Sequence, residues 1–196
     1  MFGLIKHLVC ILLVLQFVLG DLLFPEYQAV DKKKSNLAGR TPLYAPSRCK
    51  QHELLYPGDQ VNDWICDCAP AALYHPETDA CYPAFRKGPC EDGEFLVLGD
   101  NAVLPICIAN DCKVDGQIKI KGVCYEFGKA GACQNAHLSY VIGVNPQTLH
   151  VDCVKLSISL ESRFGEEPQH SYDLTNVDLC ARGCKRAIQG RCPGRK

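Results

Sequence analysis

The chain has 196 residues, 47% hydrophobic and 22% charged, with 14 Cys, 16 Gly, 12 Pro and a net charge of −1. This composition excludes intrinsic disorder, collagen and a multi-pass membrane protein, and it supplies no global field to gather nucleic acid or anionic lipid. The length allows one domain or two small ones, with a modest core.

Residues 1–20 carry one basic residue (Lys6) ahead of an apolar run from Leu8 to Leu15, resumed by Phe17 to Leu19. Val18 and Gly20 place small residues before Asp21. That layout predicts a secretory signal peptide cleaved between Gly20 and Asp21, since the apolar run falls short of the roughly 20 residues that span a bilayer. The mature chain is expected to be secreted, extracellular and without a membrane span. Residues 21–48 hold three Pro and the run Lys32-Lys33-Lys34 without periodicity, which predicts an extended N-terminal arm.

Cys10 leaves with the leader, so thirteen of the 14 cysteines remain. In an oxidising compartment they read first as disulfides. Cys49 is followed by 16 residues, then Cys66 and Cys68, 12 residues, Cys81, 8 residues and Cys90. From Cys90 the ruler restarts: 16 residues, Cys107 and Cys112, 11 residues, Cys124, 8 residues, Cys133, and 19 residues to Cys153. Cys81-Tyr82 through Gly88-Pro89-Cys90 is echoed by Cys124-Tyr125 through Gly131-Ala132-Cys133. We read an internal duplication over residues 49–153. It suggests the pairs Cys49–Cys66, Cys68–Cys81, Cys90–Cys107, Cys112–Cys124 and Cys133–Cys153, though spacing alone leaves connectivity open. The unpaired cysteine then falls in the tail, among Cys180, Cys184 and Cys192, where it is a candidate for an interchain disulfide and a covalent dimer.

Within this region short strands and tight turns are predicted. Glu94–Leu98 and Ala102–Ile108 flank the turn Gly99-Asp100-Asn101, with Pro105 confining the second strand to an edge or bulge. Gln117–Phe127 alternates around Gly122, and Tyr140–Val144 with Leu149–Leu160 predicts a further hairpin. In residues 154–196 a strand gives way to a helical period through Val177, Cys180, Ala181, Cys184, Ala187 and Ile188. Thr175 or Asn176 is the expected N-cap and Gly190 the stop, with Cys180 and Cys184 one turn apart and facing the core. The fold class is therefore small, disulfide-rich and mainly β, with one C-terminal helix.

Chemistry is sparse. His52-Glu53 begins a zincin motif, but Tyr56 stands where the second His is required. There is no Gly-x-Ser-x-Gly elbow and no phosphate loop. Cys66-x-Cys68 and Cys180-x₃-Cys184 have chelate spacing, but secretion favours disulfides over zinc. His75, His137, His150 and His170 fall in no ligand spacing, and no Asn-x-Ser/Thr sequon occurs. No catalytic residue, metal or cofactor is expected. Residues 181–196 hold Arg182, Lys185, Arg186, Arg191, Arg195 and Lys196 and no acid. A docking site for anionic glycan or an acidic partner is one reading; the preferred one is basic residues complementing the end of a helix dipole.

Two stretches carry a resemblance. Trp64-Ile65-Cys66-Asp67-Cys68-Ala69-Pro70 through Cys81-Tyr82-Pro83 to Gly88-Pro89-Cys90 and Phe95-Leu96-Val97-Leu98 is one, and Gly122-Val123-Cys124-Tyr125 through Cys133 is the other. Together they resemble an arthropod secreted cysteine-rich family defined as domain of unknown function 4789. The resemblance implies a secreted insect protein and supplies no catalytic residues. The segment Cys68-Ala69-Pro70 through Cys81-Tyr82-Pro83 is also similar to the hairpin of invertebrate chitin-binding modules. That likeness implies the Cys68–Cys81 pair and a sugar platform from Trp64, Tyr74 and Tyr82, although Ala72 stands where that pattern has Gly. The expected function is a structural or interaction protein of an insect extracellular matrix such as eggshell, cuticle or epithelial lining. The alternatives are a chitin- or glycan-binding module and a protease inhibitor presenting Arg86-Lys87 in a disulfide-framed loop. The partner is an extracellular protein or glycan in each case.

Overall fold

The computed structural model describes residues 41–58, 63–134, 136–155 and 177–192. The leader, Lys32–Lys34, the segment 156–176 with both proposed cap residues, and Arg195 and Lys196 lie outside the described residues.

Turn residues recur every few positions, and the strands between them are only four or five residues long. They are β1 (Glu53–Pro57), β2 (Trp64–Cys68), β3 (Ala72–His75), β4 (Ala80–Pro83) and β5 (Glu94–Val97). β6 (Ile106–Ala109), β7 (Gln117–Ile120), β8 (Val123–Glu126), β9 (Tyr140–Val144) and β10 (Val151–Lys155) follow. Each pairs with its neighbour in sequence, giving five two-stranded sheets among the described residues. One short helix, α1 (Lys185–Ile188), lies near the C-terminus.

Such hairpins are marginal in water by themselves, and each is tied at its second strand. Cys49, Cys90 and Cys133 precede hairpins and bond to Cys66 in β2, Cys107 in β6 and Cys153 in β10. Cys68 and Cys112 reach Cys81 in β4 and Cys124 in β8. These are the five pairs that the spacing suggests. A sixth bridge joins Cys180 to Cys192.

The duplication extends to the backbone, and part of it occurs a third time. Leu43 exchanges both backbone hydrogen bonds with Leu55 in β1. Phe85 and Arg86 do the same with Leu96 in β5, and Gly128 and Lys129 with Ile142 in β9. The first unit therefore begins at Leu43 rather than Cys49, and residues 41–48 belong to it instead of to an extended arm. Gly88 and Gly131 occupy matching left-handed positions (φ +49° and +45°) two residues before a cysteine. A Cβ there would come within 3.1 Å of the Tyr82 ring and 2.5 Å of Ile142 Cδ1 respectively, which is why glycine recurs.

Period-two alternation makes the β3–β4 hairpin two-faced. Leu73 lies opposite Tyr82 and Tyr74 opposite Cys81. The first face packs with Leu96, Leu98 and Leu149; the second packs with Cys68, Cys184, Ala187 and Ile188.

The C-terminal helix is shorter than its period predicts. It covers four residues, with Cys184 as N-cap in extended conformation and Gly183 at φ +73° before it. Cys180 is held by Cys192 in a turn, so the two cysteines do not share a helix face. Strand order also adjusts the predicted hairpins: the chain from Leu98 to Pro105 is a connection, and β6 starts after Pro105.

Leu96 is fully buried and links β5 to the preceding chain. Leu96→Ala is expected to cost about 2–5 kcal/mol, measured by denaturant unfolding with disulfides intact.

Candidate functional site

β2 carries a carboxylate into the interior. Asp67 is 1% exposed, and its Oδ1 accepts the backbone N–H of Cys68 at 2.8 Å and of Lys185 at 2.7 Å. Its Oδ2 accepts Arg186 Nε at 2.7 Å. Arg186, 6% exposed, also donates to the Leu179 carbonyl, and its guanidinium lies 5.3 Å from the Tyr56 ring centroid. The Tyr56 hydroxyl in turn donates to the Cys68 carbonyl at 2.7 Å. A buried charge is tolerated only when paired and hydrogen-bonded, and this pair seats the C-terminal segment on β2.

A second node lies at the β3–β4 turn. Asp79 accepts from Lys50 Nζ (2.8 Å), the Tyr74 hydroxyl (2.8 Å) and Lys185 Nζ (3.1 Å). The Lys50 hydrogen bond, then those of Tyr74 and Lys185, hold the Asp79 carboxyl well below its ordinary value of 3.8. Lys185 also sits 5.4 Å from the Tyr74 ring centroid.

These contacts decide where the predicted site residues stand. Tyr74 is buried, and register puts Tyr74 and Tyr82 on opposite faces of their hairpin. Tyr82 is half-buried, edge-on to His75, and Trp64 is half-buried at the start of β2. The three rings therefore do not form one platform, and Tyr74 is corrected from glycan contact to structural anchor. Arg86 is held bidentately by Asp115, with Nη2–Oδ2 at 2.9 Å, and the Lys87 backbone N–H donates to the same carboxylate at 2.8 Å. Lys87 Nζ pairs with Asp92, and the Arg86 carbonyl is bonded to Leu96. An inhibitory loop presents its backbone and its key side chain to a protease; here both are engaged within the molecule.

Three of the tail's basic residues are similarly committed. Arg182 donates to the carbonyls of Gly99 (2.7 Å) and Asp100, Lys185 pairs with Asp79, and Arg186 with Asp67. Their role is neither a free patch nor a dipole complement but specific anchoring. Between residues 100–103 and 182–188 lies an open groove of about 230 Å³ with Ala102, Val103, Ala187 and Ile188 on its walls. Its rim carboxylate, Asp100, faces His150 Nε2 at 3.1 Å. The groove suits an apolar side chain and brings together no nucleophile and base.

Among the described residues Cys184 is the free cysteine. It is 4% exposed, and burial first, then the nearby Asp67 charge, pushes its thiol up to about 12. It has neither the exposure nor the thiolate character for an interchain disulfide. Two trios, Cys49/Glu53/Cys66 and Cys90/Glu94/Cys107, have ligand atoms within 4.8 Å of one another. Their sulfurs are consumed in disulfides, and each carboxylate caps a turn: Glu53 accepts the Lys50 N–H at 3.1 Å and Glu94 the Glu91 N–H at 3.3 Å. Asp67 and Asp79 were not singled out by sequence reasoning; the available signal was an aspartate flanked by two strand cysteines.

Compared with known proteins, residues 44–190 match a family model described as a domain of unknown function (DUF4789). No curated protein and no solved structure matches the chain.

Asp67→Ala leaves Arg186 buried without its partner, and a loss of about 3–5 kcal/mol is expected in denaturant unfolding. The folded Asp79 carboxyl titrates below its unfolded value, so its stabilisation is complete above pH 3.8 and fades as the pH falls below that. Acid unfolding of Asp79→Asn is accordingly expected to show a shallower loss of stability in that range than the parent chain.

Proposed function

The chain belongs to that family, and on this premise we propose that it is a secreted, non-enzymatic structural or interaction protein of an extracellular matrix. The observation that carries the reading is a display of apolar side chains on a cross-linked frame. Val103, Leu104, Ile106, Val114 and Val123 are 64%, 51%, 55%, 51% and 53% exposed. Six disulfides hold the hairpins and tail around them. Exposed apolar side chains gathered in one place mark a surface for association; Val103, Leu104 and Ile106 fall within four residues of one another, and disulfides at this density belong to oxidising compartments. The resemblance to a secreted arthropod family supports eggshell, cuticle or epithelial lining as the setting.

The observations favour neither alternative. Glycan binding lacks a platform built from Trp64, Tyr74 and Tyr82, and inhibition lacks an available Arg86-Lys87 loop. Association does not run through the odd cysteine, because Cys184 is buried.

Expression with the natural leader tests the proposal. The chain is expected in the medium starting at Asp21, and in tissue it should partition with insoluble extracellular material. Retention inside cells, or a freely soluble tissue form, overturns it. In the native chain Cys184 is expected to resist alkylation at mildly alkaline pH and to react as a single thiol on denaturation. Intact mass would reveal the opposite outcome as a covalent dimer that halves on reduction.

A further inference from the structure

Sheet edges must be covered, charged or interrupted, because their open N–H and C=O groups template further pairing. Most described edges meet this rule. The outer edges of β1, β5 and β9 are taken by Leu43, by Phe85 with Arg86, and by Gly128 with Lys129. β3 is met by the Gly183 carbonyl, and β4 ends on Pro83. β2 carries Asp67, β7 Lys119 and β8 Glu126. β10 has Lys155, and its Asp152 caps the Cys153 N–H at 2.7 Å.

Within β6 itself none of these devices occurs, although Pro105 lies immediately before it. All four of its residues are exposed, and residues 102–109 contain no charge. The Asn110 N–H bonds the Gly93 carbonyl, and with Phe95 opposite Ile108 this fixes the ladder's phase. Cys107 and Ala109 therefore direct N–H and C=O away from β5. Among the described residues these four groups meet no partner.

We propose that β6 is a dimer edge on which a second copy of this chain pairs antiparallel. A two-fold axis at Ile108 sets Cys107 against Ala109 of the other copy on both sides, satisfying all four outward groups of each protomer. Ile108 then lies opposite Ile108, 40% exposed in the single chain. The occupant follows from charge: a self-pairing edge places side chains against their own kind, and an uncharged strand does so without like-charge contact. This inference goes beyond the matrix reading and does not depend on it.

Sedimentation and light scattering over a concentration series, with hydrogen exchange, test it on the full oxidised chain. A reversible dimer is expected, with the Cys107 and Ala109 amides slowing as concentration rises. Ile108→Lys opposes two charges and should weaken association at least tenfold, about 1.4 kcal/mol. Ala109→Pro removes an outward donor without touching the β5 ladder and should do the same. Leu138→Lys, at an exposed position outside β6 and outside the apolar display named above, should leave association unchanged. A chain monomeric at every concentration, a dimer indifferent to both β6 variants, or a dimer whose Cys107 and Ala109 amides stay fast overturns the proposal.

Discussion

A two-stranded hairpin four or five residues long buries too little surface to hold itself in water, and the described residues contain five of them. The solution is the same each time. A cysteine ahead of the hairpin clamps its second strand, and in three cases the preceding chain hydrogen-bonds the outer edge of the first strand. The clamp fixes register, register decides which side chains share a face, and the faces then build two small cores on either side of β3–β4. Apolar burial here is a consequence of cross-linking rather than its substitute.

The C-terminal segment is attached by a different chemistry. A four-residue helix has no propensity to form alone, so α1 exists because Asp67 receives its first N–H and its arginine together. Tyr56, Tyr74 and Asp79 surround that contact, which ties the β1–β2 and β3–β4 hairpins to the tail. Lys185 and Arg186, two of the cations that resemble a docking patch in one dimension, are spent on this attachment. The same accounting removes Arg86 and Lys87 from the surface chemistry, since Asp115 lies 29 residues from Arg86 and becomes its neighbour only on folding.

Legibility followed the range of the interactions. The cysteine ruler was readable because each bridge spans only one hairpin, so bond partners are near in sequence. The Gly-x-Cys echo was readable because left-handed backbone beside a ring admits little else. The helical period in residues 177–188 misled because Cys180 and Cys184 recur at helical spacing while serving separate ends, one a disulfide to Cys192 and the other an N-cap. Asp67 was hidden for the opposite reason: its partner Arg186 is 119 positions away, and no local pattern announces such a pair. Tyr74 shows the same limit, since its burial depends on a segment that arrives a hundred residues later.

The six bridges are strictly sequential, each closing before the next opens, with separations of 12 to 20 residues. No loop threads or encloses another. Under tension between its ends such a chain behaves as a string of tied-off loops: the load bypasses each loop through its sulfurs. Every bridge withholds roughly 40–70 Å of contour at about 3.4 Å per residue. The slack inside each loop is thus released only by reduction, loop by loop, while the backbone between loops carries the entire pull.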